Sequence, residues 1–288
     1  MRTNPKPENR RLKGFRRSSF GPRSSGFFRP SGLGVRIGLA LFLFLLGIPV
    51  AQLAAADATE LFRSGLGSYH FGNYSNASVL FRRAAALHPA SGTLQNLGNA
   101  EWQRGRTGEA VLAWEQARWL DPFNEPVRDN LRFARRTAQL ESPELTWYEV
   151  VSTWLPVNWW AWTAAASLWL AIGMGTLPGI FRWPRLAWHQ AVAAVGLAVF
   201  LLSVPAQLGL STRCHIGFIL QTDVPLCLTP TRDAQYITRL ASGEPARLMR
   251  ARGNYYLLRA NHSTGWVQKD QFGLICQTPN GSEIGRNH

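Results

Sequence analysis

The chain contains few cysteines and no familiar catalytic motif. Three cysteines in 288 residues are too few for a small domain held together by disulfides, and 26 glycines exclude a collagen-like repeat. The sequence has no glycine-rich phosphate loop, no His-Glu-x-x-His pair and no Gly-x-Ser-x-Gly turn. We therefore predict that the protein is not an enzyme, with no cofactor and no metal site.

Acidic residues are also scarce. Seventeen Asp and Glu stand against 31 Lys and Arg, which gives a formal net charge of +14. An excess of this size usually indicates binding to nucleic acid or to an anionic surface. Residues 1–36, however, hold ten of the basic residues and one acidic residue, so they carry +9 of the excess. Because most of the positive charge lies in one N-terminal segment, no nucleic-acid partner is expected.

An uncharged run over 37–56 follows this basic segment and ends in three alanines. A basic stretch, a short apolar stretch and a small-residue exit are the three parts of a secretory signal. The apolar stretch is short for a membrane span, which needs about 20 residues. Cleavage after Ala56 is favoured, while an uncleaved anchor and a translation start near Val35 stay open. In each case the segment that follows is expected outside the cytoplasm.

Residues 58–124 contain an internal repeat at an offset of 33, with copies over 58–90 and 91–124. Small residues allow two helices of one copy to pack closely, and a large aromatic residue fills the space below them. A proline then ends the second helix. The positions expected to form this packing are Gly65, Ala77, Phe81, Ala84, Pro89, Leu97, Gly98, Ala110, Trp114, Ala117 and Pro122.

The repeat resembles the tetratricopeptide (TPR) pattern. The residues that carry the resemblance are Leu94-x-x-Leu97-Gly98, Ala110-x-x-x-Trp114 and Pro122, and the Thr-Pro-Leu-His turn of ankyrin repeats is absent. A helix over about 126–140, with arginines on its polar face, is expected to cap the pair. The resemblance implies an all-α domain whose concave groove holds a segment of a protein partner.

Two long stretches in the middle of the chain, 150–181 and 186–212, carry no charged residue. Each is long enough for a transmembrane helix, and the best spans are 159–180 and 186–210. The sequence therefore predicts a transmembrane helical hairpin. A buried hairpin of a soluble protein is the competing interpretation.

Tryptophans and arginines set the expected orientation of this hairpin. Eight of the twelve tryptophans lie within 147–188, as in the aromatic belts found at membrane–water interfaces. The connection 181–185 carries Arg182 and Arg185 and no acid. Because short positive loops stay cytoplasmic, both flanking segments are expected on the opposite side of the membrane.

From about residue 219 to 275, short β-like runs alternate with Gly, Pro, Asn and Asp. Five candidate strands in this length predict a small all-β barrel. The strands are expected over 224–228, 236–240, 246–250, 255–259 and 265–267.

This stretch resembles a bacterial SH3-type domain. The resemblance is carried by Gly243-Glu-Pro-Ala-Arg-Leu248, Arg252-Gly253-Asn254-Tyr255-Tyr256 and Gly265-Trp266-Val267. It implies a barrel closed by the last of these runs, with Val267 buried and Trp266 near the surface. A packing role for Trp266 is favoured over ligand binding. The residues that carry the prediction are Gly253, Tyr255, Gly265, Trp266 and Val267.

Cys214, Cys227 and Cys276 all lie in or beside the predicted β domain. Outside the cytoplasm two of them can form a disulfide, which leaves three pairings open and one thiol unpaired. A bond between Cys214 and Cys276 would tie the two ends of the barrel together.

The order of these parts is similar to the BatE-type component of bacterial aerotolerance (Bat) operons. The resemblance implies a multi-pass scaffold of the inner membrane with its folded domains on the periplasmic side. It also implies von Willebrand factor A-domain proteins and a MoxR-type ATPase as partners. Our first hypothesis is a non-enzymatic adaptor that recruits a protein through its TPR groove. The alternative is a protein that binds peptidoglycan through its SH3-type domain.

The predicted fold class is a multidomain membrane protein: all-α TPR repeats, a transmembrane helical hairpin and a small all-β SH3-like barrel. The predicted segments are a leader with signal peptide or anchor over 1–56, two TPR repeats with a capping helix over 57–141, a linker over 142–158, a membrane helix over 159–180, a cytoplasmic loop over 181–185, a membrane helix over 186–210, the SH3-like domain over 211–276 and a disordered tail over 277–288.

Overall fold

Short helices joined by tight turns form the first part of the chain that the structure describes. The five helices are α1 (56–70), α2 (Tyr74–Leu87), α3 (Ser91–Gln103), α4 (Thr107–Leu120) and α5 (Glu125–Ala138). Asn73 and Asn124 precede α2 and α5, and each side chain accepts a hydrogen bond from a backbone N–H of the first turn. Gly72 and Gly105 occupy equivalent turns at φ +75°, a conformation that favours glycine.

In the computed structural model, the described residues are 56–181, 187–231, 234–261 and 263–276. They belong to one compact unit, Val50–His288. Three predicted segments lie outside the described residues: the leader and signal except for Ala56, nearly all of the cytoplasmic loop, and the C-terminal tail.

Equivalent glycines and aromatic rings bring the helices of each pair together. A Cβ added to Gly65 would lie 2.7 Å from Cε1 of Phe81, and one added to Gly98 would lie 2.5 Å from Cδ1 of Trp114. Both rings are buried. The backbones of α1 and α3 therefore rest directly on aromatic rings of α2 and α4, and no larger residue fits at either glycine.

We expect Gly98→Ala to lower the free energy of unfolding by about 1–3 kcal/mol, because the new methyl group overlaps the Trp114 ring. Gly92→Ala is the matched control in the same helix, since nothing lies within 4 Å of its added Cβ. Restricting the unfolded chain there is expected to raise stability by about 0.5 kcal/mol. Denaturant unfolding followed by circular dichroism compares the two variants. Equal effects would contradict this packing.

Three further helices are α6 (Trp147–Ser152), α7 (Val157–Ile180) and α8 (Ala187–Arg213). α7 and α8 pack along each other, and a Cβ added to Gly196 of α8 would lie 2.9 Å from the carbonyl oxygen of Ser167 in α7. α6 packs on the C-terminal half of α8, where Gly209 lies against the main chain of Tyr148.

The predicted two-span transmembrane hairpin is wrong. Among the described helices, α8 alone is long and apolar enough to cross a membrane, with a mean hydropathy of 2.1. α7 carries no charged residue but does not meet the same criterion of length and composition over its described residues. A stretch without charge is not thereby strongly apolar, because tryptophan, amide and hydroxyl side chains all lower the hydropathy. Those of α7 are Asn158, Trp159, Trp160, Trp162, Thr163, Ser167, Trp169 and Thr176.

A single antiparallel sheet of seven strands forms the rest of the described chain. The strands are β1 (Ile216–Ile219), β2 (Val224–Cys227), β3 (Tyr236–Leu240), β4 (Pro245–Arg252), β5 (Tyr255–Ala260), β6 (Ser263–Gln268) and β7 (Phe272–Leu274). Their order in the sheet is β3-β2-β6-β5-β4-β1-β7. The longest ladders join β4 to β5 and β5 to β6 through short turns.

The predicted small SH3-like barrel is also wrong, because two additional strands widen the sheet. β1 pairs with β4 on one side and with β7 on the other, and neither β1 nor β7 was expected. Ile216 and Phe218 of β1 lie in one core with Val111 and Trp114 of α4. The sheet also has an apolar cluster of its own, but β1 makes it continuous with the helices.

Hydrogen bonds join the sheet to α4 as well. The Gln116 side-chain amide donates to the carbonyl of Leu274 at 3.0 Å, and the Gly108 N–H donates to Ser242 Oγ at 2.9 Å. Helices and strands thus form one structure, which contradicts the predicted fold class of separate TPR repeats, membrane hairpin and SH3 barrel. The observed architecture has eight helices, one seven-stranded sheet and one candidate span within the described residues.

Candidate functional site

An aromatic pair lies on the surface formed by α3 and α5. The rings of Trp102 and Phe133 meet edge to face, with centroids 5.6 Å apart. Trp102 also packs on the buried Trp114 at 5.8 Å, which anchors the pair to the core. Phe133 is 56% exposed. Exposed aromatic residues that are held in place by the core are the usual anchors of protein interfaces.

Amide side chains lie beside this pair and are fixed by hydrogen bonds. Asn99 Oδ1 accepts from Trp114 Nε1 at 3.1 Å and from Asn130 Nδ2 at 2.8 Å. At the neighbouring end of α5, Asn124 Nδ2 donates to Gln95 Oε1 at 3.2 Å. Such amides hydrogen-bond to peptide groups without requiring a charged partner.

We call Asn99, Trp102, Asn130 and Phe133 the α3–α5 surface. It combines an apolar anchor with neutral hydrogen-bonding groups, and all four side chains are at least partly exposed. This combination fits a protein segment better than a small charged ligand.

The packing residues expected from the repeat do not form this surface. Nearly all are buried inside the helix pairs, including Ala77, Ala84, Leu97, Ala110 and Ala117. The two prolines lie at the ends of the second helices, where Pro89 is exposed. Of the α3–α5 surface, the sequence analysis located only the capping helix that carries Asn130 and Phe133. Trp102 and Phe133 carried no signal that separated them from core aromatics.

The residues expected from the SH3-type resemblance lie around β5 and β6. Gly253, at φ +54°, forms the turn before Tyr255, and Val267 is buried. Gly265 lies so close to Leu226 that an added Cβ would be 2.7 Å from its Cγ. Trp266 is half-buried and faces Cys227 and Leu257 in the neighbouring strands. Binding of peptidoglycan by this region stays a prediction.

Cys214 and Cys276 form a disulfide, with their Cα atoms 5.0 Å apart. The bond joins Cys214, the residue after α8, to Cys276, two residues after β7. Cys227 is the free thiol. The structure thus selects one of the three pairings that the sequence left open.

A buried ion pair, which sequence reasoning missed, lies where α6 meets the sheet. Glu149 is completely buried, and its carboxylate accepts hydrogen bonds from both terminal nitrogens of Arg247 in β4, at 2.7 and 3.0 Å. Its Oε2 also accepts from the Thr146 N–H at 2.9 Å, which closes a capping box at the start of α6. Bidentate pairing of this kind compensates the cost of burying the charge.

Two opposing effects determine the pKa of Glu149. Burial raises the pKa, but the hydrogen bonds from Arg247 and from Thr146 outweigh it and bring the pKa to about 2, from an ordinary value of 4.5. Glu149 is therefore ionised in the folded protein at every pH above about 2.

The ion pair is expected to stabilise the protein fully above pH 4.5 and to lose this contribution as the pH falls towards 2. The full loss is on the order of 3 kcal/mol. Glu149→Gln lacks the titrating group, so its stability is expected to fall less steeply across this window. Denaturant unfolding at a series of pH values measures both proteins. Parallel curves would contradict the lowered pKa of Glu149.

Further contacts of charged residues lie between this ion pair and helices α4 and α5. Arg213, the last residue of α8, donates to Ser152 Oγ at 3.1 Å and lies 4.8 Å above the ring of Trp119 in α4. One turn before Trp119 in α4, the buried Glu115 pairs with Arg135 of α5. Charged residues therefore connect α4, α5, α6, α8 and β4.

Within the part of the chain that the structure describes, no group of three or more His, Cys, Asp and Glu side chains is arranged to hold a metal ion. A cleft of about 320 Å³ lies between the segment 141–146 and strands β1 and β4. Its charged lining mixes Glu141, Glu144 and Glu244 with Arg247 and Arg259, which defines no single ligand class. No family model, no curated protein and no solved structure matches the chain.

Proposed function

We propose that the protein is a non-enzymatic, membrane-held adaptor that binds a protein partner through the α3–α5 surface. The observation that carries the proposal is the aromatic pair of Trp102 and Phe133, anchored on Trp114 and bordered by Asn99 and Asn130. An exposed aromatic group with ordered amides beside it provides both affinity and orientation for a peptide segment.

α8 supports attachment to a membrane. At 1.5 Å per residue, its 27 residues extend about 40 Å, so this apolar helix offers a long surface to a hydrocarbon core of about 30 Å. Only 17% of its most apolar window is buried. The core helix of a soluble protein would bury most of that window instead. Leu202, 71% exposed, and Val195, 61% exposed, illustrate the apolar surface that a bilayer would cover.

The disulfide supports a position outside the cytoplasm for the sheet. Disulfides persist in the periplasm and at the cell surface, whereas cytosolic thiols are kept reduced. β1 begins two residues after Cys214 and shares one core with α4, so the helices that carry the α3–α5 surface lie in the same compartment as this bond. We therefore propose that the α3–α5 surface is presented on the envelope side of a bacterial inner membrane.

The family resemblance supplies candidate partners. If the protein acts beside the products of an aerotolerance operon, the bound segment belongs to a von Willebrand factor A-domain protein or to an associated MoxR-type ATPase system. An A-domain protein is the first to test, because a cytoplasmic ATPase would not reach a surface on the envelope side.

The proposal is tested by placing a photoreactive phenylalanine analogue at position 133 of the full-length protein in its native host. We expect a discrete crosslinked product that contains an envelope protein. The same analogue at position 123 is the matched control, because Phe123 is 61% exposed but lies in the turn between α4 and α5.

Co-purification provides the second measurement. Phe133→Glu is expected to lose the crosslinked protein from the purified complex, while Phe123→Glu retains it. Both substitutions add one negative charge at an exposed aromatic position, so a general effect of charge would appear in both. Equal retention by the two variants would rule out the α3–α5 surface as the docking site.

A further inference from the structure

α6 has its polar side buried and its apolar side exposed. Glu149 and Ser152 are buried, at 0% and 1% exposure, whereas Trp147 and Val150 are 68% and 43% exposed. Trp154, just after the helix, is 62% exposed. Trp147 and Val150 are three residues apart and share one face of α6, and Trp154 lies two residues beyond its end. A surface helix of a soluble protein has the opposite arrangement.

The two buried polar side chains of α6, Glu149 and Ser152, form all their hydrogen bonds inside the protein. Both oxygens of Glu149 are taken by Arg247 and by the Thr146 N–H. Ser152 Oγ donates to the Glu149 carbonyl at 2.6 Å and accepts from Arg213 at 3.1 Å. α6 is therefore fixed in one orientation, and the apolar face cannot turn inwards without breaking the buried ion pair.

α6 packs against the end of the α7–α8 pair where further apolar side chains are exposed. Trp160 of α7 donates through Nε1 to the Ser152 carbonyl at 3.2 Å, and Gly209 of α8 lies against Tyr148. At the same end of these helices, Trp162 is 76% exposed and Leu208 is 59% exposed. No exposed charged side chain belongs to α6.

We infer that α6 is an interfacial element that lies in the headgroup region of a lipid bilayer, with Trp147, Val150 and Trp154 facing the lipid. The inference rests on the proposed membrane attachment through α8. Lipid is the occupant that these residues fit, because tryptophan favours the membrane–water boundary and further apolar side chains are exposed at the adjoining end of the α7–α8 pair. The buried polar face then fixes how deeply the end of α8 enters the bilayer.

The test uses full-length protein with Cys227→Ser, which removes the free thiol and leaves the disulfide intact. Trp147→Cys and Trp154→Cys are each labelled with an environment-sensitive fluorophore. The variants are reconstituted in vesicles of phosphatidylethanolamine and phosphatidylglycerol that carry spin labels either at the headgroup or deep in the acyl chain. Leu202→Cys, near the middle of α8, reports insertion of that helix, and Phe123→Cys reports an aqueous position.

We expect the labels at 147 and 154 to show blue-shifted emission and to lose more than half of their fluorescence to headgroup spin labels. Deep spin labels are expected to quench them less, and to quench position 202 more. The label at position 123 is expected to be quenched neither by headgroup spin labels nor by deep spin labels.

Two outcomes overturn the inference and separate its failure from that of the proposed function. If position 202 is quenched while 147 and 154 behave like 123, α8 is inserted but α6 is not interfacial. If 147 and 154 are shielded from aqueous iodide but not quenched by lipid, a protein covers α6 instead. If no position is quenched, the proposed membrane attachment is itself ruled out.

Discussion

Arg247→Met is expected to destabilise the protein by about 3–5 kcal/mol, because it leaves the Glu149 carboxylate buried without its partner. Methionine keeps most of the volume of the arginine side chain, so the loss reports the charge rather than a cavity. Denaturant unfolding of the full-length protein in detergent, followed by near-ultraviolet circular dichroism of the tryptophans, measures the effect.

The control is Arg259→Met. Arg259 lies opposite Arg247 in the sheet but is exposed, and little change in stability is expected from its loss. Adding Glu149→Leu to Arg247→Met is expected to recover much of the stability, because the uncompensated charge is then removed. An Arg247→Met effect no larger than that of Arg259→Met would show that the ion pair contributes little.

Loss of the disulfide is expected to be similarly costly. The cysteines are 62 residues apart in sequence, and closing a loop of that length in the unfolded chain corresponds to about 4 kcal/mol. The Cys214→Ser, Cys276→Ser double variant should therefore unfold at a markedly lower denaturant concentration. Reduction of the unmodified protein is expected to produce the same shift, and reduction of the double variant no shift.

Cys227→Ser is the matched control, since it removes a thiol without removing a covalent bond. Its stability is expected to stay within about 0.5 kcal/mol of the unmodified protein, as for most substitutions away from the core. A double variant that is as stable as Cys227→Ser would mean that the bond closes no loop in solution.

Local patterns in the sequence located most of the individual elements. The repeated small and aromatic residues identified where helices pack closely, and the Gly65–Phe81 and Gly98–Trp114 contacts lie at those positions. Each of the five expected strands overlaps an observed strand. These features depend on spacing along the chain, which a single sequence records directly.

Long-range features could not be predicted in the same way. β1 and β7 are short, and their pairing joins residues more than 50 positions apart, such as Gly217 and Leu274. The packing of β1 on α4 joined the two expected domains through a shared apolar cluster, while the sheet kept a second cluster of its own. Likewise, nothing near Glu149 indicates that its partner is Arg247, 98 residues later. Freedom from charge alone also did not make α7 a candidate membrane span.

The connection between α8 and β1 has a mechanical consequence. Only Cys214 and His215 separate Arg213 from Ile216, and one of these two residues is held by the disulfide. β1 is in turn packed on α4, next to the helices that carry the α3–α5 surface. If a partner docks on that surface and α8 lies in a bilayer, as proposed, no flexible linker separates the two. A force on the partner would then be transmitted to α8, where a flexible linker would have extended first.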